Sequence, residues 1–319
     1  MKRRALLQHA GLAALGLSLP AWAQTAGATR ILVGAPPGGG TDILGRALAL
    51  EMGKQLSRSV IVENRPGAGG NIAALGVSKA AADGGTLLLS YTSHVINPAL
   101  YRKLPFDPVA DFTPIVPIAT APSILVVPAR CPANNLKELV AMASDKPGTM
   151  NVAIAGLGGA NHLAGEMLRK MAQIDVLGIP YKGTSGALTD LMAGQVDIVF
   201  SGYGAAAGLI KAGRVKALAV TSAARMAALP QVPPVADLLP GFDYSAWYGL
   251  FGPAGMAAKE VEALRAAAHA AQKTPGLREQ LEREGMELLQ MDTPAFRSFL
   301  AAELDRWKLA VKASGVELM

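Results

Sequence analysis

Two glycine-rich stretches, each at the start of a predicted helix, hold the residues with the plainest capacity for chemistry. Gly34-Ala-Pro-Pro-Gly38-Gly39-Gly40-Thr41 follows a β-branched run and opens an amphipathic one at Asp42, and Gly156-Leu-Gly158-Gly159-Ala160-Asn161 stands in the same relation to a second helix pattern. Such a loop gathers backbone N–H groups at the positive end of a helix dipole, where an anion can sit. Neither stretch suits a nucleotide. A Walker loop ends in Gly-Lys-Ser/Thr and the first stretch has no Lys; the dinucleotide spacing GxGxxG needs a glycine where the second has Asn161, and no suitable acid follows about 20 residues on. The competing reading of each loop is a tight turn without a ligand.

His162 and Glu166 lie four apart on one predicted helix face, the spacing of two metal ligands. With no HExxH and no third ligand clustered nearby, no metal is expected, and His162 reads better as a cleft donor or a helix-capping group. Gly183-Thr184-Ser185-Gly186 only approximates a nucleophile elbow. No carboxylates pair closely in sequence, and Asp42 in a helix first turn has an ordinary dipole-stabilising role. No cofactor and no catalysis are expected. A hydrolase stays as a remote alternative, because a Ser-His-Asp site is recognised by geometry rather than order.

The elements that must position these loops follow from patterning. The 319 residues are 51% hydrophobic and 17% charged, which allows a large core and argues for two domains. From Arg30 onward, short β-branched runs alternate with helix-length amphipathic ones, the mark of βαβ units. Strands are expected at 31–33, 60–62 and 86–90, with helices at 42–56 and 71–82 between them, in a three-stranded parallel arrangement. Residues 111–127, interrupted by Pro114, Pro117 and Pro122, read as an irregular extended connection into a second α/β unit. That unit has strands at 151–154, 176–179, 196–200 and 215–221 and helices at 161–171, 185–192 and 205–212. A proline-marked linker at 230–240 and an extended aromatic run at 244–251 bring the chain back to helices at 259–272, 275–284 and 293–313. Two crossings between two α/β units make a cleft, with ligands expected at helix N-termini.

Residues 1–23 read as an export signal: Lys2-Arg3-Arg4, an apolar stretch from Ala10 to Leu19, and Ala21-Trp22-Ala23 before a mature start near Gln24. The stretch is shorter than the ~20 residues of a membrane span and Pro20 breaks it; Sec and Tat export both stay open. Three of the six net positive charges belong to this segment, and no later basic run is interleaved with aromatics, so no nucleic-acid partner is expected. Cys131 is the single cysteine; it reads as a buried thiol, with a catalytic role the minor alternative.

Taken together, Pro37-Gly-Gly-Gly-Thr-Asp42-Ile-Leu-Gly-Arg46, Val62-Glu-Asn-Arg-Pro-Gly-Ala-Gly-Gly-Asn71, Asn97-Pro-Ala-Leu-Tyr101, Asp111-Phe-Thr-Pro-Ile115, His162-Leu163, Ile179-Pro-Tyr-Lys-Gly183, Ala212-Gly-Arg-Val-Lys-Ala-Leu-Ala219 and Trp247-Tyr-Gly-Leu-Phe-Gly-Pro253 closely resemble the Bug-type extracytoplasmic solute receptors of tripartite tricarboxylate transporters. The resemblance implies an α/β, type II periplasmic-binding-protein fold. Residues 24–120 with 243–319 would form lobe one and 121–242 lobe two, closing over a small carboxylate held by amides, hydroxyls and waters. Carried over by position, lobe one would offer Gly38, Gly39, Gly40, Thr41, Asp42, Tyr91, Thr92 and Ser93. Lobe two would offer Gly158, Gly159, Ala160, Asn161, His162, Tyr181, Gly183, Thr184, Ser201 and Tyr203, with Lys182 the nearest positive charge. The implied partner is the transporter's membrane permease, the compartment the periplasm and the state a monomer; a sensor subunit for a two-component system is the alternative. The chain departs from the family at Gly159, Ala160 and Asn161, where Ser or Thr is common, and at Asp83-Gly84-Gly85-Thr86, where the family has Asp-Gly-Tyr-Thr. Fewer hydroxyl donors should alter ligand choice more than fold.

Overall fold

Helix-length connections force successive β-branched runs to pair in parallel. β1 (Thr29–Val33), β2 (Val60–Asn64) and β3 (Thr86–Tyr91) lie in the order β2-β1-β3, with Ile31 opposite Val62 on one side and Leu87 on the other. The computed structural model describes residues 27–319 apart from 157 and 182, so the export signal at 1–23 and Lys182 lie outside the described residues. Because side chains alternate along a strand, Ile31 and Val33 enter one core with Leu44, Leu48 and Met52 of α1 (Gly40–Leu56), while Leu32 enters another. α2 (Asn71–Ser78) ends four residues before the periodicity suggests. Its last hydroxyl, on Ser78, turns back to the Leu75 carbonyl at 3.1 Å.

Residues 111–127 are not the irregular connection that their prolines suggest. They form two regular strands, β4 (Phe112–Ala121) and β5 (Ser123–Pro128), in different sheets. β4 pairs antiparallel with β10 (Ala246–Pro253), and Pro114 and Pro117 face Phe251 and Gly249, next to the two places where the register shifts. Irregular pairing there accommodates residues with no N–H to donate, and β4's other edge is covered only at Ala119 and Thr120 by β11 (Glu287–Leu288). The first sheet therefore runs β11-β4-β10-β3-β1-β2.

The second sheet runs β7-β6-β8-β5-β9, from β6 (Met150–Ala155), β7 (Val176–Tyr181), β8 (Ile198–Gly202) and β9 (Val215–Val220) around β5. Its faces are covered by α4 (Leu136–Asp145) and α5 (Ala160–Met171) on one side, and by α6 (Thr184–Ala193) and α7 (Tyr203–Lys211) on the other. The chain leaves the first sheet at Pro122 and returns to it between Val220 and Ala246. Thr221 knits the two crossings together: its hydroxyl accepts from Ser123 N–H (2.8 Å), its N–H donates to Ser123 O (2.9 Å), and its carbonyl accepts from Tyr244 N–H (3.0 Å). α8 (Ala258–Lys273) and α9 (Pro275–Glu284) pack on α1, and α10 (Thr293–Ser314) lies across α5 and α3 (Ser93–Leu100), a helix that Pro98 concealed in the sequence. Among the described residues no helix is long and apolar enough to cross a membrane. Cys131 is free and half-buried.

His94, on α3, sits among Phe106, Phe112 and Phe251, with ring centroids 6.4, 4.8 and 4.9 Å away. Its Nε2–H donates to the Pro108 carbonyl at 2.8 Å, and burial drives its pKa down to about 4. The unfolded chain takes up this proton near pH 6.5, the native one only near 4, so between those values the unfolded state binds more protons and stability falls as the pH is lowered. The expected loss on going from neutral pH to pH 4 is about 3 kcal/mol from this residue. Denaturant midpoints across that window should drop more steeply for the wild type than for His94→Gln, which keeps an N–H donor without the titration.

Candidate functional site

A cleft of about 400 Å³ lies between the two sheets, at the C-terminal ends of β3 and β6. Four helices turn their first residues onto it: α1 with Thr41, α3 with Ser93, α5 with Ala160 and Asn161, and α6 with Thr184. An α-helix leaves its first N–H groups without an internal acceptor. Elsewhere, side chains of Asn135, Thr274 and Asp292 cap α4, α9 and α10, while α2, α7 and α8 also start without a side-chain cap but do not line this cleft. None of the four helices at the cleft has a side-chain cap, and three of them begin after a glycine: Gly39, Gly159 and Gly183. Their free amides and dipoles converge on one space.

The two glycine loops are built alike. Gly38 (φ 80°) and Gly158 (φ 76°) occupy the left-handed region that glycine tolerates, and Gly39 and Gly159 follow in extended conformation, their N–H groups turning back to Pro36 O and Gly156 O. In each loop the leading N–H is taken by a side chain four residues on. Gly38 donates to Asp42 Oδ2 at 2.9 Å, and Gly158 donates to His162 Nδ1 at 3.0 Å. The amides left for a ligand are thus those of the helix first turns, not those of the leading glycines.

Those bonds correct two expectations. Asp42 is buried and also accepts from Arg46 Nε (3.0 Å) and Asn64 Nδ2 (2.9 Å), so it ties the loop to β2 rather than facing the cleft. Burial pushes its pKa up, but the Arg46, Gly38 and Asn64 donors prevail and hold it below the usual carboxylate value. His162 is buried too, and desolvation, only partly offset by Glu166, lowers its pKa. Its Nδ1 accepts, so its proton is on Nε2, and the side chain braces the loop instead of lining the cleft. Among the described residues no group of three His, Cys, Asp or Glu could hold a metal ion.

Of the other residues singled out from sequence, Tyr91, Thr92, Gly158 and Gly159 also border the cleft. The side chains of Tyr181 and Ser201 are turned to internal partners: Tyr181 donates to Asp190 Oδ2 at 2.7 Å, and fully buried Ser201 to Gly202 O at 2.9 Å. Tyr203, packed against Gly285, and Gly40, next to Met286 and the Tyr248 hydroxyl, are not among the residues that line the cleft. Gly38, Gly39 and Gly183 shape the loops without bordering the cavity.

The sequence reading missed Asn97, Tyr101, Tyr248 and Met319 on the cleft wall. The first three stand inside stretches that carried the family resemblance but drew no role there. Tyr248 on β10 is directly opposite Tyr91 on β3. Burial pushes Tyr248 up to about 12, against a hydrogen bond from Thr41, and raises Tyr91 as well, so both phenols stay protonated donors at ordinary pH. Asn161 is fixed at the base of the cleft, accepting from the Ser123 hydroxyl and donating to Phe200 O at 3.3 Å. No described residue of the lining has a charged side chain. Among the described residues the arrangement can hold an anion through neutral donors and brings together no nucleophile and base.

The tripartite tricarboxylate transporter family receptor, TctC, matches residues 44–316. Protein BugT of Bordetella pertussis is 31% identical over 312 residues, 96% of each chain. Among solved structures, the periplasmic binding protein BugD is 32% identical, with a TM-score of 0.81 over 92% of this chain and 99% of its own. An R. palustris protein solved with adipate is 29% identical with a TM-score of 0.83 over 92% and 99%. MatC of Rhodopseudomonas palustris, with bound malate, is 32% identical with a TM-score of 0.78 over 89% and 99%. The two-lobed α/β architecture is that of the periplasmic binding proteins, and a family of solute receptors agrees with a cleft that, among the described residues, holds donors but no catalytic pair. The chain therefore belongs to the TctC family of tripartite tricarboxylate transporter receptors.

Proposed function

We propose that this protein captures a small carboxylate in the periplasm and presents it, with its lobes closed, to a tripartite tricarboxylate transporter permease. The lobes are taken as 24–120 with 243–319 and 121–242, hinged at the paired crossings around Ser123 and Thr221. The observation that carries the reading is the convergence of four uncapped helix N-termini on a cleft whose described lining residues carry no charged side chain. A carboxylate there meets amides and hydroxyls already oriented for it, and the ligand leaves chemically unchanged. Relatives solved with adipate and malate support the ligand class.

A thermal-shift screen of the exported form tests this with aliphatic dicarboxylates, tricarboxylates, acidic amino acids, aromatic acids and neutral sugars. A ligand that binds only the folded state adds about 2.7 kcal/mol at 100 times its Kd, so a carboxylate should raise the Tm by several degrees. Stabilisation by a neutral sugar with no carboxylate response would overturn the proposal.

A further inference from the structure

We infer that Met319 is the end wall of the cleft and sets the length of the carboxylate it accepts, an inference that rests on the receptor reading above. After α10 the chain turns at Gly315 (φ 73°) and residues 316–319 run back to the end of α3. Two backbone hydrogen bonds clamp Met319 there: its N–H donates to Leu100 O at 2.8 Å, and its main-chain oxygen accepts from Arg102 N–H at 2.9 Å. The backbone clamp holds the side chain on the cleft surface, which Tyr101 also borders.

The tip of that side chain meets the other lobe. A Cβ built on Gly158 would lie 3.1 Å from Met319 Cε and 2.1 Å from Leu100 Cδ2, so the thioether and the leucine fill the space beside Gly158. α5 begins two residues further on, with Ala160 and Asn161 on the same cleft wall. A ligand whose carboxylate sits on the free amides of α5 has the methionine next to it, and its carbon chain must end at or bend around that side chain. Methionine is unbranched and has three rotatable bonds, so it can close the cavity on chains of different shape while fixing their length. No bond of the clamp uses the side chain, which can therefore be shortened without undoing the wall's attachment.

Affinities for unbranched dicarboxylates from succinate to suberate, measured by calorimetry on the wild type, Met319→Ala and Met319→Leu, test the assignment. The optimum of the wild type should move to longer chains in Met319→Ala, changing the long-to-short affinity ratio about tenfold, the worth of one or two methylenes. Met319→Leu, of similar volume, should keep the wild-type optimum, and the unliganded Tm of both variants should match the wild type. A wild type that binds some of the series, with a Met319→Ala profile unchanged or weakened equally at every length, would overturn the role of Met319 alone. A wild type that binds no carboxylate would overturn the receptor reading and this inference with it.

Discussion

Gly158→Val should reduce carboxylate affinity at least about 100-fold, or about 2.7 kcal/mol, while leaving the protein folded. Two independent effects act at this position. Its φ of 76° is a conformation that a β-branched residue resists by about 1–2 kcal/mol, so the loop that presents α5 to the cleft would relax away from its present shape. Its Cβ would also sit 2.1 Å from Leu100 Cδ2, across the line where lobe two meets lobe one. Leu100 is buried, so relieving the overlap either turns its side chain against the core or moves the α5 amides away from Thr41 and Ser93, and with the strained loop the donors around the cleft lose their geometry. Calorimetry with whichever carboxylate the screen identifies reads the affinity, and small-angle scattering reads whether the lobes stand further apart. Wild-type affinity in this variant would mean that α5 does not address the ligand.

Glu303→Leu is expected to lower stability by about 3–5 kcal/mol, the range for leaving buried partners of a charge unsatisfied. Glu303 is 5% exposed, and its Oε2 accepts from Trp247 Nε1 (2.8 Å), Trp307 Nε1 (2.9 Å) and an Arg306 guanidinium N–H (3.0 Å). Arg306 Nε also lies 2.8 Å from Oε1, close enough for ion pairing but misaligned for a hydrogen bond. Leucine fills the volume but accepts nothing, so two buried indole N–H groups lose their partners at about 1–3 kcal/mol each. The damage reaches the cleft, because Trp247 exchanges hydrogen bonds with Thr92: its N–H donates to the Thr92 hydroxyl at 2.8 Å and its carbonyl accepts from Thr92 N–H at 3.1 Å. Urea midpoints followed by tryptophan fluorescence measure the loss. Glu303→Gln, which keeps one acceptor oxygen, should fall between the wild type and Glu303→Leu.

Much of the fold was legible because local chemistry and global arrangement agree. The apolar runs at 31–33 of β1 and 87–89 of β3 are buried on both faces, and α9 starts and stops with Pro275 and Glu284 as its proline and following glycine require. The reading failed at β4, where Pro114 and Pro117 weighed against a strand. Their places beside register shifts, on a strand mostly uncovered along one edge, are set by β10 and β11, which lie far away in sequence. α3 was missed for a related reason. Pro98 is its sixth residue, and a helix of eight residues gives little periodicity to set against it.

For the site, the sequence by itself determined the two glycine loops and the helices they open, and from these the expectation of an anion, since they depend on backbone freedom and helix dipoles close along the chain. It could not determine which donors remain free. Asp42 and His162 stand four residues after Gly38 and Gly158, a spacing equally suited to facing a ligand or to folding back on the loop, and only the packed structure shows both folding back. The wall opposite was decided by tertiary structure alone, because strand register brings Tyr248 beside Tyr91 and a return from α10 brings Met319 beside Gly158. Contacts between residues so distant in sequence leave no local periodicity to read; they exist only once the two sheets have formed and the chain has crossed twice between them.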